Sequence, residues 1–430
     1  MNWGSRKMTW SSSGVLELYR EDMKMARTAL QGIVVLDFGT GVAVPDGIRL
    51  LAELGAKVIK IESSKNLDFV RTIAAEKNSS AGFNETNRNK LSIGVDLQTA
   101  KGKEILRKLV KIADVFAENQ RGGVAKNLGF DYESVRKIKP DIVYLSSQGF
   151  GGGGPHSDYP AYGPMLSAGS GMLSIWKHPD DPYPVGSNSP LPDHMASKQC
   201  AIAIMAALDY KRRTGKGQYI DMAQTEVAAS LIGESYLDYT INKRVPQPKG
   251  NRCPYAAPHG AYPCTGMDNW VAISVFTDEE WHSFIKVIGH PEWDKDPRFS
   301  DLLSRIKNVD VLDKQVIEWT SVRDAWEIME MLQKAGVPAG VVQRAPDTMK
   351  DPQILHDHAL VELDHPVVGK RLYPNVALKL SETPALPSKP APLLGQHTDE
   401  ICRELLHMSD NDIKNLKTEG VLESPDITKK

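Results

Sequence analysis

Residues 32–62 read GIVVLDFGTGVAVPDGIRLLAELGAKVIKIE. The run IVVLDFG (33–39) is apolar, rich in β-branched residues and closed by a glycine, which predicts a strand entering a tight turn. PDGIRLLAELG (45–55) has Pro45 near a first helical turn and Gly55 where a helix stops. KVIKIE (57–62) returns to strand character, so the stretch is one β–α–β unit. Outward from it the alternation continues. LSIGVDL (91–97), DVFAEN (114–119) and DIVYLSSQGF (141–150) are further strands, with TAKGKEILRKLVKIA (99–113) a helix between the first two. Strands alternating with single helices predict an α/β fold: a Rossmann-like large domain with a parallel sheet and helices on its faces.

Composition narrows the function classes. The chain has 430 residues, 41% of them hydrophobic and 25% charged, and a formal net charge of −2. At about 150 residues per domain that length predicts two or three domains. Lys and Arg balance Asp and Glu, so no global basic field exists to hold nucleic acid or an anionic membrane. The four cysteines, Cys200, Cys253, Cys264 and Cys402, are far apart and form no C-x-x-C, which argues against a disulfide scaffold or structural zinc. No apolar run approaches the roughly 18 residues that span a bilayer, and the N-terminus lacks a signal-peptide h-region. The expectation is a cytoplasmic protein.

Beyond residue 190 the pattern changes. DHMASKQCAIAIMAALDYKRR (193–213) is a long Ala-rich helix; Cys200 to Leu208 contains no polar residue, which predicts burial on most sides. Residues 243–268 are irregular and rich in Pro and Gly, the composition of a linker with a loop. WVAISVF (270–276) is a strand, and Thr277 with Glu280 forms a capping-box start for the next helix. The expected organisation is an N-terminal extension (1–30), the large domain (31–225), a linker and smaller α/β domain (226–345), and a return segment (346–430) completing the large domain.

Several local patterns bear on chemistry. Gly39-Thr40-Gly41 sits where a dinucleotide fold places its glycines, and Glu62 stands where a ribose-binding acid would. The third glycine position is Val44, however, which disfavours a nicotinamide-dependent oxidoreductase; a tight turn whose backbone N–H groups could still receive a phosphate fits better. Gly151–Gly154 lacks the Lys-Ser/Thr of a P-loop. Asp193, preceded by Pro192, stands where an N-cap would be. The same location has chemical value, because unpaired N–H groups and the helix dipole keep a desolvated carboxylate ionised and usable as a nucleophile. Histidines form no H-x-x-x-H and no G-x-S-x-G occurs, so neither a metal site nor a nucleophile-elbow hydrolase is expected.

Together the β–α–β stretch, NRNKLSIGVDL (87–97), DVFAENQRGGVAKNLGFDYESVRKIKPDIVYLSSQGFG (114–151), PDHMASKQCAIAIMAAL (192–208), AGVPAGVV and APLLGQHTDEI (391–401) resemble the class III CoA-transferases over about residues 32–415. That group includes the formyl-CoA, carnitine and aryl-propionyl CoA-transferases. The resemblance implies that Asp193 is the catalytic nucleophile and that coenzyme A lies over the first turn, against the backbone of Val42 and Ala43. It implies further that Asn119 and Arg121 contact the pantetheine and phosphates, and that Lys90 and Arg71 add positive charge near the nucleotide. CoA thioesters would be substrates, with no permanently bound cofactor and no metal. The partner would be a second copy in an interlocked dimer, or a paralogous subunit in a hetero-oligomer. Two departures from formyl-CoA transferases, Val42 for Gln and the loop NRCPYAAPHGAYPC for a Gly-rich one, point to a bulky aryl or branched acid rather than oxalate. Alternatives are a 2-methylacyl-CoA racemase, which pairs the aspartate with a His at the position of Tyr162, or an inactive CoA-binding subunit. A tyrosine with a pKa near 10 is a poor base at neutral pH, which favours transfer.

Overall fold

The computed structural model describes residues 28–74, 76, 78–183 and 190–425. Most of the expected N-terminal extension, residues 1–27, therefore lies outside the described residues. The chain divides into two compact units, one within 1–170, 189–233 and 358–430, the other within 171–188 and 234–357. The excursion at 171–188 is a crossing that the sequence pattern did not single out.

The first unit is built on a seven-stranded sheet in the order β12-β3-β2-β1-β4-β5-β6. Its strands are β1 (Val34–Phe38), β2 (Lys57–Glu62), β3 (Leu91–Val95), β4 (Val115–Glu118), β5 (Val143–Gln148), β6 (Gln218–Ala223) and β12 (Leu422–Glu423). All pair in parallel except β12, which runs antiparallel along β3. The side-chain period of two sends alternate residues to opposite faces, and both faces are buried. Leu36, Ile59, Ile61, Phe116 and Tyr144 pack against helix α2 (Ala100–Ile112) and C-terminal residues such as Ile401 and Ile413. Val35, Val58, Val115, Val143 and Leu145 pack on the other face against helices α1 (Ala43–Glu53) and α4 (Leu191–Thr214).

Two helix registers differ from the sequence reading. Helix α1 begins at Ala43, two residues before the expected start, which places Pro45 third in the helix, where its missing N–H costs nothing. Helix α4 begins at Leu191 with Pro190 at the N-cap, so Asp193 lies inside the first turn and caps nothing. Nor is α4 buried on most sides: Ser197, Cys200, Ala201, Ile204 and Ala207 face inward, while Ile202 is 63% exposed. The small residues serve close approach instead. A Cβ on Gly47 of α1 would lie 2.5 Å from the Ser197 carbonyl of α4, so the two backbones are nearly in contact.

The second unit carries an antiparallel sheet β7-β8-β9 of His259–Pro263, Trp270–Ser274 and Ala339–Val341. Helices pack over it around Trp281, Phe284, Phe299, Val316 and Leu332. The Thr277/Glu280 capping box opens its helix α5 (Asp278–Ile288) as the sequence predicts. Among the described residues no helix is long and apolar enough to cross a membrane.

Candidate active site

Strand order reverses at β1 and β4: from β1 the chain builds outward through β2 and β3, and from β4 through β5 and β6. In such sheets a crevice opens beyond the carboxyl ends of the two central strands, and ligands bind there. Those ends are Phe38 and Glu118. The turn leaving β1 has its backbone almost wholly occupied. Gly39 N–H donates to Asp37 Oδ1, and Gly41 N–H to Asp68 Oδ1. Asn119 accepts from Thr40 N–H and donates to Thr40 O, each at 2.8 Å. The expectation that this turn's own N–H groups receive a phosphate is therefore corrected: all three are taken. The next three, on Val42, Ala43 and Val44, find no acceptor among the described residues, as a helix N-terminus leaves them.

Beneath the turn lie four buried charges. Lys60 Nζ donates to Gly39 O and to Asp68 Oδ2, while Lys90 Nζ donates to Asp37 Oδ2, Asn87 Oδ1 and Pro45 O. Burial works against the charge on Asp37, but Lys60 and Lys90 hold its carboxyl below the ordinary value. Burial pushes Lys90 down to about 8, a shift that Asp37 only partly offsets. A second buried pair flanks them: the Arg71 guanidinium grips both oxygens of Glu62, bonds Asn78 and Pro392 O, and stacks 3.6 Å over the Phe83 ring.

Asp193 sits in the first turn of α4. Its Oδ2 is shielded from solvent and finds no hydrogen-bond partner among the described residues. Gly163, first residue of helix α3 (Gly163–Gly169), lies directly against it: a Cβ there would fall on Asp193 Oδ2. Burial raises the Asp193 carboxyl to about 6, with His194 and its own backbone N–H pulling the other way. At neutral pH it is still a carboxylate, and one with little solvation to lose. Asp193 connects to the turn through a short series of contacts. Tyr162 caps α3 and meets the Phe69 ring edge-on at 5.7 Å, and that ring covers Gly41, whose Cβ would lie 2.9 Å from it.

The predicted residues thus separate into groups. Asn119, half-buried, is fixed to Thr40 beside the free donors of Val42 and Ala43. The Ala43 side chain is core, packed with Ala196 and Val227, and Ala43 and Val44 have no exposed surface, so Val42 alone of the three is partly open. Arg121 is exposed and unpaired among the described residues. Lys90 and Arg71 are both buried, with their charges paired to Asp37 and Glu62. In the Gly151–Gly154 run the Gly152 N–H is committed to Asp221 at 2.9 Å. Replacing Asn119 by alanine leaves both backbone groups of Thr40 unpaired, at about 1–3 kcal/mol for such groups. The expected result is a rise of about tenfold in KM for a CoA thioester, measured by initial rates, with a smaller change in kcat.

Sequence reasoning missed Asp46, Gly163 and Glu118. Asp46 on α1 accepts from Ser197 Oγ and Lys198 Nζ on α4 and from Arg49, with His194 Nδ1 3.7 Å away, so it ties the turn's helix to the helix that carries Asp193. Against burial, the His194 imidazole, Arg49 and Lys198 hold its carboxyl far below the ordinary range. Glu118, closing β4, is raised to about 7 by burial, although Ser146 and the Gln120 N–H bond it. An Asp at the start of an amphipathic helix was the only available signal, and it reads as an ordinary surface charge. Among the described residues no His, Cys, Asp and Glu cluster could hold a metal ion.

A parallel Rossmann-like sheet with an underpaired aspartate beside its switch point is an architecture that the comparisons place. The chain belongs to CoA-transferase family III, whose model matches residues 30–398. It is 34% identical over 406 residues to a Mycobacterium tuberculosis protein described as "Probable CoA-transferase Rv1866", covering 93% of this chain and spanning about half (51%) of that relative's length. It is 30% identical to the succinyl-CoA–D-citramalate CoA-transferase of Chloroflexus aurantiacus, covering 91% of this chain and 98% of that one. To the succinyl-CoA:glutarate CoA-transferase of Mus musculus it is 31% identical, covering 92% and 90%. Among solved structures, a CaiB/BaiF family protein from Brucella suis superposes with a TM-score of 0.82 at 30% identity, over 88% of this chain and 99% of that one.

Proposed function

We propose that this chain moves coenzyme A from an acyl-CoA thioester to a free carboxylic acid, with Asp193 as the covalent nucleophile. The Asp193 carboxylate attacks the donor thioester carbonyl, forming an acyl–aspartyl anhydride and releasing CoA thiolate. The thiolate attacks the aspartyl carbonyl, expelling the donor acid and leaving an aspartyl-CoA thioester. The acceptor carboxylate attacks that thioester, giving a second anhydride and the thiolate again. The thiolate then takes the acceptor acyl group and frees Asp193. Each step exchanges comparably activated acyl groups, so the cycle as written consumes no ATP and calls on no metal.

One observation carries this reading: a carboxylate in the first turn of α4, shielded, with Oδ2 unpartnered and pressed by a glycine rather than by a side chain. A carboxylate short of hydrogen bonds is a better nucleophile than a solvated one. The unpaired N–H of Val42, on a partly exposed residue, is the donor we assign to the thioester and its developing oxyanion. Asn119 holds the turn beside the pantetheine, and exposed Arg121 meets phosphate. Arg71 and Lys90 act inside the fold.

For the acid, we favour a short dicarboxylate. The relatives' printed names carry succinate, citramalate, glutarate, oxalate and malate. Half-exposed Lys198, which bonds Asp46, stands on α4 a little over one turn beyond Asp193, where its charge would attract a second carboxylate. The bulky aryl or branched acid suggested by the loop at 251–264 rests on residue type alone. A cytoplasmic location and a two-subunit assembly, of two copies or with a paralogue, remain part of this reading; one relative is itself named a beta subunit.

The test is incubation with succinyl-CoA and a panel of mono- and dicarboxylic acids, read by mass spectrometry without ATP. New thioesters of dicarboxylic acids, formed at least about tenfold faster than those of aryl or branched monoacids, are the expected result. Thioester hydrolysis or α-proton exchange without any new thioester sinks the proposal.

A further inference from the structure

Lys60, Lys90, Asp37 and Asp68 are four fully buried charges around one turn, and stability does not explain them. Desolvating an ion costs several kcal/mol, and apolar replacements of buried pairs are commonly as stable or more so. What they share is their endpoint. Asp37 holds the Gly39 N–H, and Lys60 the Gly39 carbonyl. Asp68 holds the Gly41 N–H and accepts from Thr40 Oγ1, and Lys90 holds the Pro45 carbonyl in the first turn of α1. With Asn119 on both backbone groups of Thr40, nearly every polar backbone atom of Gly39–Gly41 ends on a side chain.

We infer that these four charges are positioning residues of the transfer reaction. They lock Gly39–Gly41 so that the free N–H of Val42, the one such donor on a partly exposed residue, stays fixed where the thioester docks. The inference rests on the reading of the site given above. Preorganised donors stabilise developing charge without reorganising during the step, and a turn clamped from both sides is how a backbone supplies them. Lys90 is central, because its ammonium joins β1 through Asp37, the segment before β3 through Asn87, and α1 through Pro45. The charged groups facing it are Asp37, Lys60 and Asp68. Of the two lysines it loses its proton the more easily, which ties the clamp to the alkaline range.

The test compares the full-length protein with Lys90→Met and Asp68→Asn. Two readouts are used: KM and kcat for an acyl-CoA from pH 6.5 to 9, and hydrogen exchange of the Gly39–Gly41 amides. Expected in both variants are a KM raised about tenfold, a smaller fall in kcat, and turn amides exchanging at least about tenfold faster than in wild type. In wild type, KM rises above about pH 8; in Lys90→Met that rise is gone. A merely structural role would lower the melting temperature and leave KM and the relative exchange of the turn unchanged, and that outcome overturns the inference. If Lys90→Met does not fold, the isosteric Asp68→Asn decides. If wild type transfers CoA to no acid, the reading of the site fails, while the exchange data still decide whether the charges lock the turn.

Discussion

Replacing Asp193 by alanine is expected to leave a folded protein whose CoA transfer is reduced by at least about 10⁴-fold, as when a covalent nucleophile is removed. The two halves of that expectation come from the same geometry. Oδ2 bonds to nothing described, so its loss strands no partner. Indeed the variant should be the more stable protein at pH 7. The folded carboxyl is raised from 3.8 to about 6, so the native state binds a proton more tightly than the unfolded chain between those values. Stability therefore falls as pH rises through that window, and above it wild type carries a penalty that Asp193→Ala lacks. Two pK units correspond to about 3 kcal/mol, which partial exposure reduces to roughly 1–2 kcal/mol. Thermal melts at pH 5 and pH 8 check this: the gap between variant and wild type should widen at the higher pH. In wild type, kcat/KM should fall tenfold per unit below about pH 6, where an ordinary aspartate would hold its activity to nearly pH 4. Hydroxylamine added during turnover should label Asp193 and no other residue. Undiminished transfer by the alanine variant would exclude the covalent route.

Gly163→Ala should also slow turnover strongly, though less than loss of Asp193, for a steric reason. The added methyl would fall on Asp193 Oδ2 and lie 2.8 Å from Pro190 Cβ, so carboxylate or helix must shift. Overpacking of this kind costs about 1–3 kcal/mol in stability. A displacement of about 1 Å at a reacting group costs on the order of 10²-fold in rate. The backbone at Gly163 is not left-handed, so the defect belongs to the contact and not to the turn. The expected pattern is a kcat about 10²-fold lower with CoA binding nearly unchanged. A variant with normal kcat would mean that Asp193 works in a different rotamer from the one described.

How much of this was legible in the sequence differs by element. The strands were, because IVVLDFG, LSIGVDL and DVFAEN carry the β-branched signal locally and need no partner to be recognised. Strand order was not, since pairing β1 with β4 joins residues some 80 apart. The clamp was hidden by its own periodicity. In KVIKIE, Val58, Lys60 and Glu62 share one face, which looks like a wetted side until helices cover it. The ion pairs of Arg71 and Lys90 were not legible, because buried carboxylates 9 and 53 positions away leave no local trace. Asp193 was identified by resemblance, yet its place inside the helix depended on Pro190 and Leu191 opening a turn early. Gly163 offered nothing, because a glycine's reason for being small lies in what it touches.

The last strand of the sheet has a consequence for how the chain is made. Residues 422–423 seal the outer edge beside Val95 and Gly94, while His397 and Thr398 satisfy the backbone of Ser92 and Gly94. A ribosome delivers those groups some 300 residues after the edge they cover. The nascent sheet therefore waits with β3 open to any passing strand until residues 397–423 have been made. A truncated product would carry the nucleophile and the clamp but expose a sticky margin, so early termination should appear as insoluble protein before it appears as lost catalysis.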